Sequence, residues 1–439
     1  MKLQNKNTTD FFNNEYVNYA SYDNIRKIPS LVDGQKNAAR KILWYSFKKN
    51  LKNEIKVSQL DSKVAEDTEY LHGSMAGVIV NLAQDYIGTN NINLLMPEGN
   101  FGTRLVPEAS AARYIYTYGS QDLFNQLNSK DNDILEKQFF EGHEIEPKFL
   151  LPKLPMLLVN GAEGISSGYA SKILPRNPEE IEMYLKNFLN GKSQKFTGTP
   201  YYKGFKGTIE QGETSNQWVI SGKATRKANK VLISELPIGY SLKQYIKVLD
   251  TLEDQKKIIK YNDYSNKDFN FEVQFNRKFL DELSDDKLYD LLKLRKKVSE
   301  NYTVMDKNNR VQVFNNVNEI FQEYIKVKLE YTEKRKQHSI MVLSKEIYEL
   351  VSKYVFIQKV TNDELIISKR KTEDIEKDLD GIQKIIKIND SYDYLLNMSI
   401  RSLTKERMEQ LMKTIKDKKE ELDKIKSSTI EKIWLNDLI

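Results

Sequence analysis

Cysteine is absent from the 439 residues, which excludes disulfides, thiolate zinc sites and cysteine nucleophiles, although it names no compartment. Histidine is scarce, with only His72, His143 and His338. No apolar run approaches the ~18 residues that suggest a membrane span, and the N-terminus lacks the apolar stretch of a secretion signal. The expectation is a soluble protein of the cell interior, cytoplasmic or at the nucleoid, with no membrane partner. Charge of one sign is not in excess: 68 basic and 62 acidic residues leave +6, which says little about partners. Proline is missing after Pro237, and Gly381 is the only glycine after Gly239. With so few breakers, the last 200 residues should be mostly long helix.

What is present supports a folded chain of two or three domains. Hydrophobic residues make up 39% and aromatics 10%, enough apolar surface to offset the entropy of ordering. From about Asn318 to Lys353, apolar residues recur at helical spacing through Ile320, Phe321, Tyr324, Ile325, Ile340, Leu343, Ile347, Leu350 and Val351. That helix would reach roughly 50 Å at 1.5 Å per residue. A second segment, after an expected N-cap at Thr404, sets Met408, Leu411, Ile415, Leu422 and Ile425 on a heptad-like stripe. The two predict an antiparallel coiled-coil arm whose tip lies in 355–402. The middle of the chain alternates at Lys206–Gln211, Gln217–Ala228, Lys230–Pro237 and Phe269–Phe275, as strands do. The whole reads as an α+β multidomain protein.

Charge is unevenly placed. Between Arg26 and Val57, nine basic residues face two acidic ones, Asp33 and Glu54. After Asp33-Gly34, the helical plot puts Ala38, Ala39, Ile42, Leu43, Tyr45 and Phe47 on one face, with Asn37, Arg40, Lys41 and Lys48 around Trp44 on the other. A basic outer face suits a helix-turn-helix on a phosphate backbone. Taken alone, the same pattern is more often a solvated face on a core helix.

Two motifs dissolve on inspection. Gly191-Lys192-Ser193 lacks the glycine of a phosphate loop, since Lys186 stands five residues before Gly191. Asp131-Asn132-Asp133 lies in a polar stretch beside Lys130 and reads as a surface turn rather than a metal site, so no metal ligands are assigned.

The informative run extends from Gly99 to Thr117 and contains Ala111-Ala112-Arg113-Tyr114-Ile115-Tyr116-Thr117. Most of the 25 tyrosines in such a chain simply pack, so Tyr114 gains meaning only from its company. Upstream stand Arg26-Lys-Ile-Pro-Ser-Leu-Val-Asp-Gly-Gln-Lys-Asn-Ala-Ala-Arg-Lys41 and Tyr70-Leu-His-Gly73. Downstream follow Leu158-Val-Asn-Gly-Ala-Glu-Gly-Ile165, Lys203-Gly-Phe-Lys-Gly-Thr-Ile209, Ile233-Ser-Glu-Leu-Pro237 and Tyr394–Thr404. In this order and at these distances, the motifs resemble those of type IIA DNA topoisomerases over nearly the whole chain. The wording around Tyr114 is closer to the eukaryotic and viral enzymes than to gyrase.

The resemblance implies a winged-helix DNA-binding domain over 1–175, an α/β tower over 176–317, and a coiled-coil arm with a helical dimer gate over 318–439. It implies that Tyr114 attacks the scissile phosphate and becomes linked to the 5′ end of double-stranded DNA, with Arg113 and His72 stabilising the phosphoryl group. Arg26, Lys36, Arg40, Lys41 and Arg104 match DNA-binding positions. Asp33 either orients one of these or merely makes the turn before Gly34. Ile165 matches an isoleucine that wedges between base pairs, although an isoleucine between Gly164 and Ser166 otherwise reads as core. Magnesium and ATP are implied as cofactors, both held by a partner subunit, because the family's ATPase and acidic metal-binding domains have no counterpart here. A homodimer is implied as well. The organisation resembles the medium subunit of split phage-type enzymes, with a piece of a single-chain enzyme as the alternative.

Three positions depart from the family pattern: Lys36-Asn37 replaces Lys-Pro, Ser166-Ser167 replaces Gly-Thr, and Leu71 replaces a bulkier residue. The lack of a His-x-x-Arg pair argues against tyrosine recombinases and type IB topoisomerases. The competing class is a non-catalytic DNA-binding and dimerisation protein, against which the intact Arg113, Tyr114 and His72 speak.

Overall fold

The computed structural model describes residues 7–192 and 196–438. They fall into two compact units, Met1–Lys328 together with Leu438, and Leu329–Asp437. Among the described residues, no helix is long and apolar enough to cross a membrane.

In the first unit, the turn Asp33-Gly34 launches the helix Asn37–Lys48. Gly34 has φ +71°, and a Cβ there would come within 2.4 Å of Leu157 N, so the position demands glycine. Asn37 occupies the first helical position despite replacing proline, and its side chain donates to Glu146 at 3.3 Å. The helix packs with Val57–Asp67 and Ala76–Ala83 beside an antiparallel sheet ordered Ile55–Lys56, Tyr116–Gly119, Leu95–Glu98.

Here the structure corrects the helical plot. Arg40, Lys41 and Trp44 are buried with Ala39, Ile42 and Leu43, and do not form an outer basic face. Arg40 Nε donates to Asp33 Oδ2 at 2.6 Å, and Lys41 Nζ reaches Glu146 Oε2 and Thr68 O, both at 2.7 Å. Long stems fill the core while each charge finds an opposite one, the condition under which a buried charge is tolerated.

Asp131 also differs from expectation: the turn Ser129–Asp131 forms, but Asp131 is buried. Buried Leu135, whose N–H donates to Asp131 O at 3.1 Å, anchors this turn in the core. Gly191, at φ +71°, follows the helix Pro178–Leu189 and its C-cap Asn190, so it marks a helix stop. Ser193 lies outside the described residues.

The middle of the chain forms an antiparallel sheet ordered Lys223–Lys227, Lys230–Glu235, Phe271–Gln274, Lys260–Asp263. Alternation buries Val231 and Ile233 against Phe271, Val273, Tyr245 and Leu249, the last two from the helix Leu242–Asp254. That helix starts with a full capping box between Ser241 and Gln244. A second sheet, ordered Arg295–Ser299, Gln217–Ser221, Thr208–Gln211, packs Trp218 and Ile220 with Leu174 and Tyr202.

In the second unit, residues of the helix Val317–Thr361 pair with the helix Lys405–Ser427. The contacts Lys336 Nζ to Ser428 O at 2.7 Å and Lys418 Nζ to Glu346 Oε2 at 2.6 Å run in opposite chain directions, so the helices are antiparallel. Leu343, Ile347 and Leu422 fill the seam. Thr404 caps the second helix by accepting from Arg407 N at 3.3 Å. The first helix extends eight residues past the expected Lys353, because Phe356 is drawn into a separate core with Leu365, Ile375, Leu379, Tyr392 and Leu395.

Candidate active site

Tyr114 stands at the mouth of the strand Tyr116–Gly119. Buried Ile115 anchors the segment, its O accepting from Val57 N at 3.0 Å, while Arg113 and Tyr114 point outward. Tyr114 is 66% exposed, unusual for a tyrosine on a well-formed segment, and the Arg113 guanidinium lies 4.9 Å from its ring centroid. The preceding loop is tightly constrained, since a Cβ on Gly102 (φ +90°) would meet Pro107 O at 2.4 Å. Its Arg104 is not free to meet a ligand. Buried, it donates to Tyr240 O at 2.9 Å and Leu236 O at 3.0 Å, and lies 3.6 Å from Glu235. Arg104 therefore bolts the tyrosine loop to the four-stranded sheet.

His72 belongs to a second cluster. It is exposed, is hydrogen-bonded through Nε2 to the Tyr22 hydroxyl, and meets the Tyr70 ring edge-on at 5.7 Å. Arg26 Cζ lies 5.5 Å from the Tyr22 ring centroid. Partial desolvation, then the positive charges of Arg26 and Lys41, hold the His72 imidazole below its usual value. Lys41 also grips Thr68 O, just before the Tyr70-Leu71-His72 segment, and so helps fix its origin. Among the described residues no hydrogen bond, ion pair or ring contact joins Tyr114 or Arg113 to His72.

Ile165 is 74% exposed, so it is not a core residue. It ends the strand Ala162–Ile165, paired with Ala170–Ile173. Gly164 lets this hairpin lie against the chain at Lys27, because a Cβ there would meet Lys27 O at 2.1 Å. The departure Ser166-Ser167 is explained by Asp23, whose carboxylate accepts from Ser166 Oγ at 3.1 Å and from Ser167 N and Oγ at 3.0 Å. Lys36, half-buried, is held below its usual value by burial, against the pull of Glu163 on the same hairpin.

The Lys27 ammonium and these hydroxyls hold the Asp23 carboxyl at about 2, below the ordinary 3.8. Because the folded value is depressed, this stabilisation is present above pH 3.8 and is lost as pH falls through about 2. Asp23→Asn should therefore flatten the acid limb of the stability profile across that window. Parallel melting-temperature profiles for wild type and variant would refute the linkage.

Of the residues singled out from sequence, Asp33 is buried, accepting from Arg40, from Gln35 N at 2.9 Å and from Leu150 N at 2.9 Å, so it orients Arg40 as well as making the turn. Arg26 and Lys36 keep partial exposure; Arg40 and Lys41 do not. Sequence reasoning missed Tyr22, Asp23 and Glu146. The recurrence Tyr16, Tyr19, Tyr22 at helical spacing was a readable signal: these aromatics are exposed along the segment before Lys27. Glu146 offered none.

Comparison with known proteins gives a consistent family. Residues 26–439 match the family of the DNA gyrase/topoisomerase IV A-subunit. The chain is 36% identical to the mitochondrial DNA topoisomerase 2 of Dictyostelium discoideum and 34% identical to DNA topoisomerase 2 of Saccharomyces cerevisiae, in each case over 98% of this chain. It spans about a third of the length of these relatives, 34% of each. It also superposes, with a TM-score of 0.85 and 34% identity, on the crystal structure of the DNA-binding, cleavage and re-ligation domain of Plasmodium falciparum topoisomerase II, covering 98% of this chain and 63% of that one.

Proposed function

Because this chain belongs to the type IIA topoisomerases, through the A-subunit family of DNA gyrase and topoisomerase IV and close to the eukaryotic cleavage domain, we propose that it cuts and rejoins double-stranded DNA for strand passage through a covalent bond to Tyr114. The observation that carries this reading is the solvent-facing Tyr114 beside Arg113 on a buried, rigid anchor. In the forward step the phenol gives up its proton and its oxygen bonds to phosphorus. The bond from phosphorus to the 3′ oxygen breaks, and that oxygen takes up a proton. Rejoining reverses each exchange, since the phosphotyrosyl bond conserves the phosphodiester energy. Arg113 stabilises charge on the phosphoryl oxygens, and neutral His72 donates a hydrogen bond to the same group.

DNA is held by Arg26 and Lys36, with the exposed Lys27, Lys48, Lys49 and Lys52 supplying long-range attraction. Ile165 enters the duplex as a wedge. Ile165→Ala should reduce the DNA bend, measured by fluorescence transfer, more than it reduces affinity, because backbone contacts persist. An unchanged bend would end the wedge reading.

Residues 1–175 make the winged-helix domain, 176–317 the tower and 318–439 the coiled-coil arm with its dimer gate, and two copies cut the two strands. Among the described residues no three acidic or histidine side chains gather as a metal site. Magnesium and ATP are assigned to a separate partner chain, as in split phage-type enzymes, and no step above runs through them. The test is incubation of the chain with that partner, magnesium and supercoiled plasmid, then denaturation and protease digestion. Protein-linked 5′ ends are expected. DNA that is bound but never covalently linked would favour a purely architectural protein.

A further inference from the structure

We infer that Tyr22 is a positioning residue for His72: its hydroxyl donates to Nε2, which leaves the proton on Nδ1 and makes Nδ1–H the donor offered to the scissile phosphate. This rests on the reading of His72 as a phosphate donor. The two side chains are 50 residues apart and meet through one hydrogen bond, with the rings at 5.7 Å. A neutral imidazole has one donor and one acceptor nitrogen, and the partner of one decides the role of the other. The groups facing the ring are Tyr22 and Arg26 from the helix Val17–Lys27, Lys41 from the helix Asn37–Lys48, and Tyr70 on its own segment. Arg26 and Lys41 oppose a second proton on His72. A phenol O–H is a stronger donor than a neutral imidazole N–H, and the unprotonated ring nitrogen a stronger acceptor than a phenol oxygen, so the phenol is the donor. Tyr22 itself is half exposed.

The test uses the full chain labelled with 15N-histidine, whose three histidines are separated by His143→Gln and His338→Gln. In the wild type, the His72 Nδ1 should carry the proton at neutral pH. In Tyr22→Phe, which keeps the ring under Arg26 and removes only the hydroxyl, the population should shift toward Nε2–H and the His72 titration should move upward. Plasmid cleavage with the partner chain should fall about tenfold, the scale of an orienting partner to a functional histidine, without loss of DNA affinity. An Nε2–H tautomer in the wild type, an unchanged tautomer in Tyr22→Phe, or cleavage at the wild-type rate would overturn the inference. Failure of the underlying reading is distinct: it would show as wild-type cleavage by His72→Gln, whereas the tautomer is measured without DNA.

Discussion

Tyr114→Phe is expected to abolish the covalent protein–DNA adduct, lowering cleavage by roughly 10⁴-fold or more, the scale on which a covalent nucleophile is missed. Binding and stability should hardly change. The hydroxyl makes no hydrogen bond among the described residues, the ring is 66% exposed, and Ile115 carries the anchoring of the segment. A surface change of this kind stays within about 0.5 kcal/mol. Trapped complexes run on denaturing gels, beside salt-titrated duplex binding, separate the two properties. A surviving 5′ adduct in the variant would move the nucleophile to Tyr116, which is 36% exposed, or to Tyr118.

A second large effect is expected at a buried ion pair. Arg176 and Glu300 form a two-pronged ion pair with both bonds at 2.7 Å and both side chains wholly buried. Glu300 also accepts from Leu174 N at 2.7 Å, Trp218 Nε1 at 2.8 Å and Tyr302 OH at 3.0 Å. Burial, and then this carboxylate, push the Tyr302 hydroxyl well above its usual value. Arg176→Met would leave Glu300 buried without a counter-charge, a loss of about 3–5 kcal/mol. Arg176→Met combined with Glu300→Gln should recover part of it, since the uncompensated charge is gone. Urea unfolding of wild type and the two variants decides the matter. A single variant as stable as wild type would mean that the pair is solvated in solution.

Much of the architecture was legible because it depends on short-range periodicity. The long helix, the cap at Thr404 and the strands around Val231 and Phe271 each follow from residues within a few positions of one another. The run from Gly99 to Thr117 likewise carries its own turn glycines, its buried anchor and its outward tyrosine within nineteen residues. Charge proved less readable. A helical plot sends Arg40 and Lys41 to solvent because it registers their polarity and cannot register Asp33, seven residues back, or Glu146, 105 residues on. The burial of Arg104 was unreadable for the same reason, its carbonyl partners lying more than 130 residues away.

The sequence by itself therefore determined the family and the periodic helices and strands, since motif spacing and side-chain period are properties of the chain alone. Only the tertiary structure decided which basic residues face solvent, what holds the Ile165 hairpin, and that His72 is met by Tyr22. A charge or a ring nitrogen takes its role from whichever partner lies within about 3 Å, and long-range folding brings that partner there.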